Sequence, residues 1–399
     1  MPRISARVRA LSGEGAFEVV ARARALAAAG RDVAVLAIGE PDSPTPSHVV
    51  EAGLRALRDG ATRYAAPEGI APLRDAIAGE LRARGIDACA EQVIVTPGAK
   101  AMLFYAALAL IEPGDDVLVP DPGFPIYPSI VRHAGGTPVP YTLRARDFAL
   151  DADRIAERIT PRTRVLILNA PHNPSGGCAS RAELERVAEL AQRHDLLVVT
   201  DEIYGDLVYD DARRAPSIAA LPGMGTRTVV VDGFSKSFAM TGWRLGYGLL
   251  PAWLVERVVT LAVNAQSCVA PFVQHAGVAA LTGARNALDA MRQALRVRRD
   301  ALAAGLARVP GVSCVTPMGA LYAFPDVRAL LGGACANSSA LAARLLEEHN
   351  VAVLPGSAFG AAGEGHLRIT FAASSHDIAR GVAAIAALAS VLRDNQEES

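Results

Sequence analysis

The chain has 399 residues, 51% hydrophobic and 20% charged, with 25 Pro and 35 Gly dispersed along it; disordered, collagenous and coiled-coil classes are excluded, and a sizeable core is expected. Forty basic against 41 acidic side chains leave a formal charge of −1, so no field would draw the chain to nucleic acid or to an anionic membrane. Five cysteines, Cys89, Cys178, Cys268, Cys314 and Cys335, lie far apart with no CxxC pair, and the eight histidines form no HExxH or HxH. The reading is reduced thiols in a cytoplasmic protein with no metal site.

The opening stretch is Arg-rich, but Glu14 and Glu18 interrupt it and no apolar core or cleavage site follows, so it is not read as a targeting peptide. Apolar runs such as Val229 to Val231 are too short to span a bilayer. Short aliphatic runs then alternate with helix-period segments, the pattern of parallel strands joined by crossover helices. Candidate strands are Val93 to Thr96, Val117 to Val119, Val165 to Asn169, Leu196 to Thr200, Thr228 to Val231 and Leu245 to Leu249. Ser180 is placed to cap a helix whose Leu184, Val187, Ala188, Leu190 and Ala191 line one face. From about Gly283 a long helical stretch, short strands and a terminal amphipathic helix with Ile378, Val382, Ile385 and Leu392 on one face predict a second, smaller domain.

In open α/β sheets ligands bind beyond the carboxyl ends of the strands, so the polar residues there are the ones to inspect. VIVT runs into PGAK (Pro97 to Lys100) and a helix, a turn that could aim free N–H groups at an anion or simply pack tightly. VLILN ends in APHNPSG, where two prolines leave the Asn173 amide to meet a ligand, unless the segment is a rigid surface turn. LLVVT runs into DEIY, setting Asp201 at the sheet edge with Tyr204 three residues on; a helix N-cap is the other use of such an Asp. TVVVDGFS delivers Lys236, followed by Arg244. A lysine after a buried strand is unusual unless its amine is neutralised or used covalently. Taken together, an anion cradle, an amide, a carboxylate with a phenol, a lysine and an arginine suit pyridoxal 5′-phosphate (PLP), which needs a lysine for its aldehyde, a carboxylate for its ring nitrogen and donors for its phosphate.

AIGEPDSPTP, RYAAPEGIAPLR (Arg63 to Arg74), TPGAK, DPGFPIYP, NAPHNPSGG, DEIYGDLVYD, GFSKSFAMTGWRLG (Gly233 to Gly246), VLPGSAFG and HLRITFA follow one another along nearly the whole chain. In that order they resemble the class I/II aminotransferases of the fold type I PLP enzymes, aspartate aminotransferase-like. The resemblance implies a three-layer α/β/α large domain with a mostly parallel mixed sheet over 46–283, a smaller α+β domain over 284–399, and an N-terminal arm, 1–45, contributing to the small domain. It implies that Lys236 forms the Schiff base and moves the substrate proton, that Asp201 faces the pyridinium nitrogen, and that Tyr204 and Asn173 donate to the ring oxygen. Phe124 stacks on the ring, Ala99, Lys100 and Arg244 hold the phosphate, and Tyr64 reaches the phosphate of a neighbouring subunit, making a homodimer. Arg368, helped by Gly39, clamps the substrate α-carboxylate, and Asn173 also lies on the substrate. Gly233 stands where many members have a phosphate-binding Ser, which shifts that task to Ser235 or to backbone donors. Lys100 stands where some members meet a substrate's second carboxylate; a solvated lysine at a helix start is the other reading.

The implied activity is ping-pong transamination between an L-amino acid and a 2-oxo acid in amino acid metabolism, with glutamate and 2-oxoglutarate as one pair. The alternative is elimination, substitution or carbon–carbon bond formation on the same scaffold. A PLP-sensing DNA-binding regulator would need an N-terminal domain for which the position of Gly39 to Asp42 leaves no room. His172 is read as a solvent-facing turn residue, Trp243 as packing that positions Arg244, and Cys268 as a buried thiol without chemistry.

Overall fold

The computed structural model describes residues 4–397 apart from Glu14, Asp211 and Ala334; of the two acidic residues that interrupt the basic N-terminus, Glu14 therefore lies outside the described residues. Twelve strands form in chain order: β1 (Ala34–Val35), β2 (Val93–Thr96), β3 (Asp116–Asp121), β4 (Thr137–Thr142), β5 (Thr163–Asn169), β6 (Leu197–Asp201), β7 (Thr228–Gly233), β8 (Gly246–Leu249), β9 (Tyr322–Ala323), β10 (Val351–Ala352), β11 (Leu354–Pro355) and β12 (Leu367–Thr370). Seven of them make one sheet in the order β2-β8-β7-β6-β5-β3-β4. All neighbours in it run parallel except β8, which is antiparallel to both β7 and β2.

Apart from the edge strand β4, the sheet is buried on both faces, and its central parallel strands are continuous aliphatic runs rather than alternating ones. Val117 and Val119 of β3 pack with Met102, Ile130 and Val258 from the helices Ala99–Leu110, Ile126–Ala134 and Ala252–Ala265. Leu118, between them in sequence, points the other way and joins Leu184 and Val187 of the helix Arg181–Arg193. Burying each such side chain is worth about 1.5–3 kcal/mol, which fixes the three-layer α/β/α arrangement. Ser180 closes a capping box on the helix Arg181–Arg193: its hydroxyl accepts from Glu183 N–H while Glu183 Oε2 accepts from Ser180 N–H at 2.8 Å.

A second layer system follows, with the antiparallel sheet β11-β12-β9 covered by the helices Asn286–Leu306, Ser338–His349 and Ser375–Glu397. Strand β1 pairs in parallel with β10, Ala34 opposite Val351, so the N-terminal segment is laid against the C-terminal one. The helix Ser375–Glu397 corrects the expectation that no segment is long enough to span a bilayer: over Ser375–Arg393 its length and composition would suffice. Alanines spread its apolarity, so no unbroken run betrays it in the sequence. Ile378, Ile385, Leu388 and Leu392 are buried in the core beside β12.

Candidate active site

Strands β5, β6 and β7 end side by side at Asn169, Asp201 and Gly233, with Asn169 in register with Asp201. A cavity of about 560 Å³ opens beyond these ends. Lys236, Asp201, Tyr204 and Asn173 line it, as do Ala99, Lys100, Ser235, Arg244, Phe124, Gly39 and Arg368. Tyr64 does not: it stands outside the cavity and is 89% exposed.

Of the 40 basic residues in the chain only Lys100 and Lys236 are lysines, and both line this one cavity. An arginine cannot lose its proton in a protein, whereas a lysine can; every side-chain amine of the molecule is thus gathered here. Lys236 Nζ donates to the Gly39 carbonyl at 2.6 Å. Burial pushes its amine down to about 8, opposed by Glu40 and reinforced by Arg368, Arg244 and Lys100, so a substantial fraction is neutral near physiological pH.

Asp201 is buried and no cation stands within ion-pair distance of it among the described residues. Burial raises it to about 6 against the hydrogen bonds it accepts from the Tyr127 hydroxyl, 2.8 Å from Oδ2, and from Ile203 N–H. No helix starts at Asp201, so the capping reading fails; the chain turns instead, and Tyr204 comes back beside it. A buried carboxylate without a cation is the partner that a protonated ring nitrogen requires.

Gly98 precedes the helix Ala99–Leu110 at φ +86°, and a β-carbon there would lie 2.3 Å from Arg244 Nη2. Only glycine permits that backbone and that approach. No side chain caps the helix start, which leaves its first N–H groups facing the cavity beside Ser235 and Arg244, an arrangement that fits a phosphate. Arg244 is held by the Thr241 carbonyl at 2.8 Å, while Trp243 lies against Gly53 of the helix Ser47–Arg58 with Nε1 donating to Thr45 Oγ1 at 3.1 Å. The Gly233 backbone approaches Gly246 Cα to within 3.0 Å of where a β-carbon would stand, so a side chain there would have little room.

Arg368, on β12, crosses to the same cavity: Nη1 donates to Asn173 Oδ1 at 3.0 Å and Nη2 to the Ala37 carbonyl at 2.6 Å. Its guanidinium lies between two rings, 4.3 Å from the centroid of Tyr322 and 4.7 Å from that of Phe359. Lys100 Nζ stands 5.5 Å from the Phe124 ring centroid.

Several residues of the site escape the sequence reading. Asn169 ties two strands to the loop beyond them, its Nδ2 donating to the Asp201 carbonyl at 3.0 Å and its Oδ1 accepting from Asn173 N–H at 2.8 Å; one amide ending an otherwise apolar run is the signal that could have found it. Tyr127, Tyr322 and Phe359 carry no such signal, because their partners are distant in sequence. His172 corrects an expectation: it is not solvent-facing but 2% exposed, since the loop folds back so that Nδ1 meets Ser175 Oγ at 2.7 Å. Burial lowers its imidazole to about 3, so it stays neutral. Cys268 is half-buried, its thiol accepting from Ala65 N–H at 3.4 Å.

The family model for aminotransferase class I and II matches residues 31–385, and the chain belongs to that family. The aspartate aminotransferase of Streptomyces avermitilis is 38% identical over 400 residues, covering 98% of each chain. The arginine–pyruvate transaminase of Pseudomonas aeruginosa is 38% identical over 371 residues, 92% of this chain and 93% of that one. Among solved structures, Thermus thermophilus aspartate aminotransferase with maleate superposes with a TM-score of 0.91 at 36% identity, covering 97% of this chain and 100% of that one. The molecule is therefore an aminotransferase with the fold type I architecture of these enzymes.

Proposed function

We propose that this aminotransferase uses PLP and takes the dicarboxylic amino acids aspartate and glutamate, with the matching 2-oxo acids as acceptors. The observation that carries the reading is the meeting, in one cavity, of both lysines of the chain with a buried carboxylate that has no cation partner among the described residues. Lys236 would hold the cofactor, Asp201 its ring nitrogen, Tyr204 and Asn173 its ring oxygen, Phe124 its face, and Ala99, Lys100, Ser235 and Arg244 its phosphate. PLP when bound supplies an aldehyde that joins an amine and a ring that accepts the electron pair left when a substrate carbon loses its proton.

Each protein group then has one task. Arg368, pre-oriented by Asn173, Ala37 and two rings, binds the α-carboxylate bidentately, with Gly39 beside it. Lys236 Nζ, lowered to about 8, takes the proton from the substrate Cα and returns one, which is general acid–base work near its own pKa. The Asp201 carboxylate balances a positive ring nitrogen, and the same residues run the second half-reaction in reverse. Lys100, which lines the same cavity as Arg368, suits a second carboxylate, which supports the dicarboxylate reading; the phosphate is its other use.

We also place the working unit as a homodimer in the cytoplasm. Leu54, Leu57 and Tyr64 leave an exposed apolar surface near the helix Ser47–Arg58, and Tyr64, turned away from its own cavity, suits contact with the partner's phosphate site. The test of function is an absorption spectrum of the PLP-loaded protein before and after one addition of aspartate, glutamate, alanine or arginine. Loss of the visible band with one 2-oxo acid per site, fastest for aspartate and glutamate, is expected; ammonia or a new carbon–carbon bond instead would sink the transamination reading. Borohydride reduction should fix the cofactor's mass on the peptide carrying Lys236, and Lys236→Ala should abolish both the fixation and turnover.

A further inference from the structure

Resting on that reading, we propose that Tyr322 is a positioning residue that couples the carboxylate clamp to the phenol facing the cofactor ring. Three contacts meet on this one side chain. Its ring lies under the Arg368 guanidinium, 4.3 Å from centroid to carbon. Its hydroxyl shares a hydrogen bond with the Tyr204 hydroxyl at 2.8 Å, the two rings standing edge to face with centroids 5.8 Å apart. It also sits against Gly39, where a β-carbon would fall 1.7 Å from the Tyr322 oxygen, and Gly39 is the residue whose carbonyl holds Lys236 Nζ.

Two buried hydroxyls that share one hydrogen bond cannot both donate in it. If Tyr322 donates, the Tyr204 oxygen accepts and the Tyr204 proton is free to point into the cavity. Hydrogen bonds in a chain polarise one another, so Tyr204 becomes a stronger donor to a ring oxygen than an isolated phenol would be. Both phenols are buried, and Tyr204 is held well above the usual tyrosine range by burial and by Tyr322; it acts as a neutral donor. Because the same side chain carries Arg368 on its face, a shift of the guanidinium on binding a carboxylate reaches Tyr204 through one rigid ring. The sequence separates Tyr204 from Tyr322 by 118 positions, and β9 with its neighbour β12 brings Tyr322 and Arg368 together.

The roles separate by substitution. Tyr322→Phe keeps the ring and removes the hydroxyl; Tyr322→Leu removes both. A stronger donor on the ring oxygen makes the nitrogen joined to Lys236 less basic, so weakening it raises the pH at which the visible band of the PLP-loaded protein titrates. Tyr204→Phe should raise that midpoint by about 1–2 pH units, and Tyr322→Phe by about 0.2–0.6. In a Tyr204→Phe background Tyr322→Phe should add nothing. Binding of maleate, an unreactive dicarboxylate, followed by calorimetry, should stay within about twofold in Tyr322→Phe and weaken about two- to thirty-fold in Tyr322→Leu. A Tyr322→Phe midpoint equal to wild type overturns the coupling, and so does a shift that persists without Tyr204 or maleate binding unchanged in Tyr322→Leu. A wild-type protein that gains no visible band with PLP overturns the functional reading itself, so the two failures are told apart.

Discussion

The ends of β6 and β7 present two sets of charges that are handled in opposite ways. On one side Glu202 bonds Arg84 and accepts from Ser217 at 2.5 Å, Asp232 bonds Arg214 and accepts from Tyr247 at 3.2 Å, and Asp206 bonds Arg214 at 2.8 Å with Arg285 3.7 Å away. Burial pushes Asp206 up, but Arg214 and Arg285 outweigh it and hold the carboxyl below its ordinary range; at Asp232 burial outweighs Arg214 and Arg84 and raises the carboxyl to about 6, so it is the ion pairs rather than the titration that set the two sets apart. On the other side Asp201, adjacent in sequence to Glu202, has hydrogen bonds but, among the described residues, no cation, and Lys236, four residues past Asp232, has a carbonyl but, among the same residues, no carboxylate bonded to it. Buried charges are costly unless paired. The completed set braces the strand ends; the incomplete set leaves its free energy to be recovered when a ligand supplies the missing charge.

The sharpest way to break that contrast is to damage each set in turn. Arg214→Met removes the nearest cation from both Asp206 and Asp232, leaving them Arg285 at 3.7 Å and Arg84 at 3.9 Å, and should cost up to about 3–5 kcal/mol of unfolding free energy, read from denaturant melts; a cost below about 1 kcal/mol would mean that the network braces nothing. Asp201→Asn should do the reverse in the cofactor-free protein. Its folded-state value, about 6 against an ordinary 3.8, means that the ionised carboxylate weighs on the fold at any pH above 6. The amide removes that weight and still accepts from Tyr127, but its NH2 gives up the bond from Ile203 N–H. The variant should therefore be more stable by about 2 kcal/mol at pH 7 to 8, with the gain shrinking as pH falls from 6 and gone before pH 4. Turnover should drop about 10²–10³-fold with PLP bound. A variant destabilised at pH 8 would show Asp201 to belong with the bracing set.

Much of this was legible in the sequence, and what was not has physical reasons. The strands that end at Asn169, Asp201 and Gly233 read as aliphatic runs because both faces are covered. Strand β4 did not, since TPVPYT carries Pro138 and Pro140; it is an edge strand that pairs only with β3, the place where prolines are tolerated. Lys236, Asp201 and Arg368 stood in motifs, whereas Tyr322 and Phe359 matter only through a guanidinium brought to them by a different strand. The bracing arginines were equally invisible: among 38 arginines nothing in the sequence marks the side chains of Arg84 or Arg214 as largely covered. The scarcity of lysine was open to view, and it points to the cavity without any motif.

The smallest expected effect tests whether the incomplete set is tuned as well as unpaired. Only the neutral amine attacks an aldehyde, so the rate at which the cofactor-free protein gains its visible band from PLP should rise about tenfold per pH unit below 8 and level off above it. A simple alkylamine would keep rising beyond 10. The midpoint near 8 has burial as its largest cause, with Arg368, Arg244 and Lys100 adding to it and Glu40 opposing. Lys100→Met removes one cation and leaves the burial, so its midpoint should move up by less than about 0.5 of a pH unit. Thr241 holds Glu40 through its hydroxyl, and Glu40→Gln removes the one opposing charge, so its midpoint should move down. If both variants level off where the wild type does, burial alone sets the amine and the surrounding charges serve binding only.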